Sequence, residues 1–166
     1  MPLYKNSAFT PSRCYFLRWI ALALLITFLD QISKSFILNL NPEQPIVITP
    51  FFNIVLAFNR GAAFSFLSSA SGWQNLFFGI ISIIVSIIIV HWLYKITKKH
   101  VCLQLSLACI LGGALGNTID RIFRGNVIDF LDFYLKNWHW PAFNVADSAI
   151  VIGICLMFFD LLKNKT

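Results

Sequence analysis

The stretch "WQNLFFGIISIIVSIIIVHWLY", residues 73–94, runs for twenty-two residues without a charge. A helix rises about 1.5 Å per residue and a bilayer core takes about 20 apolar residues to cross, so this stretch suits a membrane span better than a soluble core helix. Three more stretches qualify: roughly 15–40, 101–119 and 145–162, each with polar residues near one end. Only 12% of the 166 residues are charged and 58% are hydrophobic, where a soluble domain carries about 25% charged residues. The sequence therefore predicts one integral-membrane domain, 1–166, mainly α, with four transmembrane helices and outer loops at 41–72 and 120–144.

The net charge of +6 is explained by its distribution. Lys5, Arg13, Arg18, Lys95, Lys98, Lys99, Lys163 and Lys165, against Asp160, give one side +7. The other side carries Lys34, Arg60, Arg121, Arg124 and Lys136 against Asp30, Glu43, Asp120, Asp129, Asp132 and Asp147, a net −1. Basic residues mark the cytoplasmic side, so both termini and the turn between the second and third spans are expected there, and no nucleic-acid partner is needed. The first span reads as a retained helix rather than a cleaved signal peptide, because its apolar run is long and no small-x-small site follows it. The cysteines, at 14, 102, 109 and 155, form no C-x-x-C and none falls in an outer loop. No disulfide, metal or cofactor is expected.

In the loop 41–72, prolines at 42, 45 and 50 break up β-favouring runs such as "FNIVLAF", which predicts short strands in a small sheet. The stretch 120–144 reads as a loop, with Tyr134, Trp138, Trp140 and Phe143 suited to the headgroup zone.

With these spans, the polar residues of the helices converge on the outer interface. Asp30 and Lys34, four apart, share a helix face and suit an internal ion pair. Asn117, Asp120 and Arg121 close the third span, after "LGGALG", whose small residues permit close helix approach. Asn144 and Asp147 open the fourth. Ionisable groups in a membrane suggest a functional site, yet each has an ordinary reading. Asn144 and Asp147 suit a helix cap, Asp120 and Arg121 a helix-end pair, Asp129 a loop acid near Arg124, Asp132 a solvated acid and His139 an interfacial residue. Ser65, Ser68 and Ser69 invite a serine nucleophile, but the one outer histidine is His139. The remaining chemistry is a pair of carboxylates sharing a proton, able to hydrolyse a peptide bond without metal or covalent intermediate. An ion path would spread polar groups through the membrane depth, whereas the inner halves of the helices read as almost wholly apolar, and a thiol oxidoreductase would need outer-loop cysteines; the sequence favours neither.

Four segments, "DQISK" (30–34), "FNRGAAFSF" (58–66), "GGALGNTIDRIFRGNVIDF" (112–130) and "FNVADSAI" (143–150), together closely resemble the motif set of bacterial lipoprotein signal peptidase, or signal peptidase II. The resemblance covers most of the chain in the right order, and the residue at Asn126 is variable in that family. It implies that Asp129 and Asp147 are a catalytic dyad. Asn59, Gly61, Asn117, Asp120, Arg121 and Asn144 would line or support the site, and Asp30 and Lys34 would be a structural polar pair. It further implies a β-cradle and a loop or helix on the periplasmic face of the inner membrane. The implied partners are membrane lipids, a prolipoprotein bearing a diacylglyceryl-cysteine, cut just before that cysteine, and the inhibitor globomycin.

Overall fold

The structure, a computed structural model, describes residues 13–59, 61, 73–96 and 100–163. Four helices carry it: α1 (Arg13–Leu40), α2 (Trp73–Lys95), α3 (Val101–Phe123) and α4 (Val145–Lys163). All four are long and apolar enough to cross a membrane. Their outer faces confirm the solvent they suit. On α2, Leu76, Ile80, Ile84, Ile87 and Ile88 stand 48–67% exposed, while the fully buried side chains include Lys34, Gln74, Asp30 and Asp120. Apolar groups outside and polar groups inside is the arrangement a hydrocarbon solvent selects.

Helix α3 is the centre of the bundle. Of its most apolar window 67% is buried, against 22–28% for the other three. The small residues of "LGGALG" are the reason. A Cβ added at Gly113 would lie 2.3 Å from the carbonyl oxygen of Ala146, and one at Gly112 2.7 Å from that of Ala23. Any side chain at these positions would push α4 or α1 away. Toward one end of the bundle, Ala23, Ile89, Leu93, Leu107 and Leu111 form an apolar cluster. This half, read from the sequence as almost wholly apolar, also buries Gln104, Ser106 and Asp160.

At the opposite end lies an antiparallel sheet of four strands in the order β1 (Ile46–Thr49), β2 (Phe52–Asn59), β3 (Val127–Leu135) and β4 (Trp138–His139). The strands expected in 41–72 are β1 and β2; residues 60 and 62–72 lie outside the described residues. The stretch 120–144 departs from its reading as a loop. Helix α3 runs on to Phe123, and most of the remainder is strand. Left-handed Gly125 (φ 74°) turns the chain from α3 into β3. The irregular register between β2 pairs Ile54–Leu131 and Ala57–Asp129 marks a bulge, which bends the strand beside Asp129.

Candidate active site

Helix α4 begins with a reciprocal cap. Asn144 Oδ1 accepts from the Asp147 N–H at 2.9 Å, and the Asn144 N–H donates to Asp147 Oδ2 at 3.3 Å. The capping reading of these two residues is therefore correct as geometry. It is also what aims the Asp147 carboxylate, whose Oδ1 accepts from Asn117 Nδ2 at 2.7 Å.

Asn144 reaches the second acid as well. Its Nδ2 donates to Asp129 Oδ1 at 2.7 Å, with Asn117 Oδ1 and the Ile128 carbonyl at 3.2 Å. Asp129 Oδ2 accepts from Asn59 Nδ2 at 3.0 Å, and Asn59 is oriented by the Gly61 N–H, which donates to its Oδ1 at 3.0 Å. Asp129 is thus not a loop acid beside Arg124. It sits on β3, 3% exposed, opposite Ala57 of β2. Burial, and then the charge of Asp147, push its pKa from 3.8 up to about 7 against the lowering effect of the Asn59 and Asn144 hydrogen bonds. A carboxyl group so placed holds a proton near neutrality.

Beneath the two acids lies a four-charge network. Lys34, fully buried, places its ammonium 2.8 Å from Asp30 Oδ2, 2.8 Å from Asp120 Oδ2 and 2.9 Å from Asn117 Oδ1. Three donors meet three acceptors, so the ammonium is satisfied. Asp120 also pairs with Arg124 and accepts from the Ile128 N–H at 3.3 Å. Asp30 Oδ1 accepts from the Ala146 N–H at 2.9 Å, an anion at the positive start of α4. The expected pair Asp30–Lys34 is therefore part of a larger, neutral assembly joining α1, α3, β3 and α4. Gly116 makes room for it: a Cβ there would meet Asp30 Oδ2 at 2.6 Å.

Two further expectations are corrected. Asp120 and Arg121 do not pair as neighbours at a helix end. Asp120 turns to Lys34 and Arg124, whereas Arg121 donates to the carbonyls of Gly61 (3.3 Å) and Asn117 (3.4 Å). Asp132 is not solvated; it is 6% exposed and lies 2.9 Å from His139 Nδ1. Sequence reasoning assigned no role to Gln31, which donates to Asp30, Asp120 and the Gly116 carbonyl, although a polar residue deep in an apolar helix was the available signal. It also passed over Asn75, whose Nδ2 donates to the Arg121 carbonyl at 3.0 Å and ties α2 to α3. Ser65, Ser68 and Ser69 lie outside the described residues. Among the described residues no three His, Cys, Asp or Glu side chains gather as a metal site.

The two acids open onto a cleft of about 760 Å³ between α2, α3 and α4, lined also by Arg121, Phe78, Val85, Ile110 and Trp140. Paired carboxylates at the polar end of an apolar cleft have the makings of acid–base chemistry on a largely apolar chain.

The family model described as signal peptidase (SPase) II matches residues 22–163. The lipoprotein signal peptidase of Alteromonas mediterranea is 49% identical over 149 residues, covering 89% of this chain and 82% of that protein. The lipoprotein signal peptidase of Janthinobacterium sp. (strain Marseille) is 48% identical, covering 96% of each. A bacterial membrane enzyme solved by the in meso method at 2.3 Å resolution superposes with a TM-score of 0.80 at 34% identity, over 90% of both chains.

Proposed function

Since the chain belongs to the signal peptidase II family and is a multi-pass membrane peptidase of bacterial type, we propose that Asp129 and Asp147 are its catalytic dyad. In this reading the dyad carries one proton. The ionised carboxylate takes a proton from water as the water oxygen attacks the scissile carbonyl. The protonated carboxyl polarises that carbonyl and then gives its proton to the leaving amine. One bond to carbon forms, the C–N bond breaks, and the proton count closes with no covalent intermediate. The observation that carries the reading is Asn144, which donates to both acids, through its side chain to Asp129 and through its backbone to Asp147.

The substrate is a prolipoprotein whose cysteine bears diacylglycerol, cut just before that cysteine. The apolar cleft wall suits an acyl-bearing segment, and a lipid held in the bilayer would fix the depth of the cut. The charge split supports a topology with both termini on the cytoplasmic side of the inner membrane and the dyad near the outer face. Reporter fusions at Ser71 and Lys136 should read as extracytoplasmic and one at Lys98 as cytoplasmic. Globomycin should block turnover by occupying the dyad. The test is cleavage by the purified chain: diacylglyceryl-modified prolipoprotein should be cut just before the modified cysteine and the unmodified form left intact. Cleavage elsewhere, or none of the modified substrate, would refute the assignment.

A further inference from the structure

Asp132 is a buried carboxylate that belongs neither to the proposed dyad nor to the Lys34 network. Asp132 is 6% exposed, and its two oxygens lie 3.0 and 2.9 Å from His139 Nδ1, with Asn53 Nδ2 donating to Oδ2 at 3.3 Å. The imidazole also stacks on Tyr134, with centroids 5.2 Å apart and planes 16° apart. Tyr134 in turn donates from its hydroxyl to the Thr49 carbonyl at 3.3 Å, so His139 is fixed to the body of the sheet. The pair is buried on one side only: the His139 side chain is 51% exposed against 8% for Asp132, so it contributes little to stability, but its geometry is directional.

What it directs is the next stretch of chain. Trp140, Pro141, Ala142 and Phe143 all line the cleft that holds Asp129 and Asp147. The far end of this wall is pinned to β3 by three backbone hydrogen bonds: Phe130 and Leu131 N–H to the Phe143 carbonyl, and Phe143 N–H to the Leu131 carbonyl. The near end is held by the short β3–β4 pairing, in which His139 faces Tyr134, and by Trp140 N–H to the Phe133 carbonyl at 2.7 Å; Pro141 brings no N–H to the sheet. The side chains of Asp132 and His139 add a tie from β3 to the residue just before Trp140. Beyond the wall, Asn144 is held by its own partners on α3, β3 and α4.

We propose that Asp132 and His139 are positioning residues: a latch that sets the Trp140–Phe143 wall and through it the grip on the peptide substrate, without touching the reacting atoms. This rests on the peptidase reading above. Loss of the latch loosens one end of the wall and leaves the dyad's donors in place, so binding should suffer and chemistry should not.

The experiment uses the full chain in detergent with diacylglyceryl-modified prolipoprotein, and measures hydrogen exchange alongside kinetics. In a His139→Leu variant, exchange across 138–143 should quicken while β1 and β2 keep their protection. KM should rise about tenfold, the scale of one net side-chain hydrogen bond, with kcat held near its original value. His139→Asn places an amide donor where Nδ1 stood and should restore both readouts. A His139→Leu chain with unchanged exchange and KM, a fall in kcat at constant KM, or failure of asparagine to rescue would each overturn the latch. If the unaltered chain cut no substrate, the peptidase reading would fall, and the exchange arm alone would decide the latch: unchanged exchange would overturn it.

Discussion

At one end of the bundle Ala23, Ile89, Leu93, Leu107 and Leu111 meet with exposures of 0–5%. At the other, Asp30, Lys34 and Asp120 meet with exposures of 0%. Both ends use α1 and α3, and both are closely packed. They differ in what a bilayer gives them. Lipid is as apolar as leucine, so the apolar end gains packing but little from solvent exclusion. The charged end holds groups that hydrocarbon penalises heavily unless each is paired. It is tolerable because Lys34 has three acceptors and the four charges cancel. The apolar end therefore suits holding helices together, whereas the charged end also fixes direction. Lys34 sets the Asn117 amide, whose other end faces Asp147.

Among changes that test this contrast between the two ends, removing Lys34 should have the largest effect. Lys34→Met leaves Asp30 and Asp120 without their shared cation, a loss of about 3–5 kcal/mol in stability. Turnover should fall by a further factor of about 10² in whatever remains folded, as Asn117 loses its orientation. Thermal unfolding and single-turnover cleavage would show it; normal values for both would reduce the network to a bystander.

Gly113→Ala comes next. Its methyl would meet the Ala146 carbonyl oxygen at 2.3 Å, and α4 must shift, carrying Asp147 with it. A displacement near 1 Å costs about 10²-fold in rate. Gly79→Ala is the matched control, since its nearest neighbour is Arg121 Cδ at 3.9 Å; cleavage should be normal.

Leu107→Ala probes the other end. Only the cavity contribution remains in a bilayer, so about 2 kcal/mol of stability should be lost, the low end for such a change. The kcat should not move. A drop in kcat would mean that the two ends are coupled and the contrast between them is wrong.

The smallest effect is a shift in pH dependence. Asp129 holds its proton up to about 7, so cleavage should fall as pH rises through that region and the shared proton is lost. Its folded value lies above the ordinary 3.8. The stability contributed by Asp129 is therefore present in full below 3.8 and lost as pH rises toward about 7. The Asn59 hydrogen bond lowers this value, so Asn59→Ala should move the alkaline limb of kcat/KM upward. Movement downward would contradict the assignment.

The helices were legible in the sequence because a run of apolar residues long enough to cross a bilayer has few other fates. The end of α3 was not. Asp120, Arg121 and Arg124 close the apolar run, yet the helix continues to Phe123 because partners far along the chain satisfy those charges. Strand β3 was hidden for a related reason. Its first four residues are all buried, so no alternation marks it, and aspartate is depleted in strands. The fate of Asp132 depended on His139, which reaches it through the pairing of β3 with β4, a register that spacing alone does not reveal. The proposed dyad was read from the motifs on either side of it. The donors that aim it were only partly so: Asn117 and Asn144 stood out as polar residues at helix ends, whereas the link from Lys34 through Asn117 is a matter of three dimensions.

The central claim is that Asp129 and Asp147 act as one unit. Its most direct test is cleavage of diacylglyceryl-modified prolipoprotein by Asp129→Asn, Asp147→Asn and the double variant, each checked for folding. Each single change should lower turnover by about 10²–10⁴-fold or more, and the double variant should be scarcely worse than either, because residues acting as a unit are not additive. If Asp147 served only as a helix cap, asparagine in its place would cost about 1 kcal/mol of stability and leave cleavage working. A folded Asp147→Asn chain that cuts at a near-normal rate would contradict the dyad.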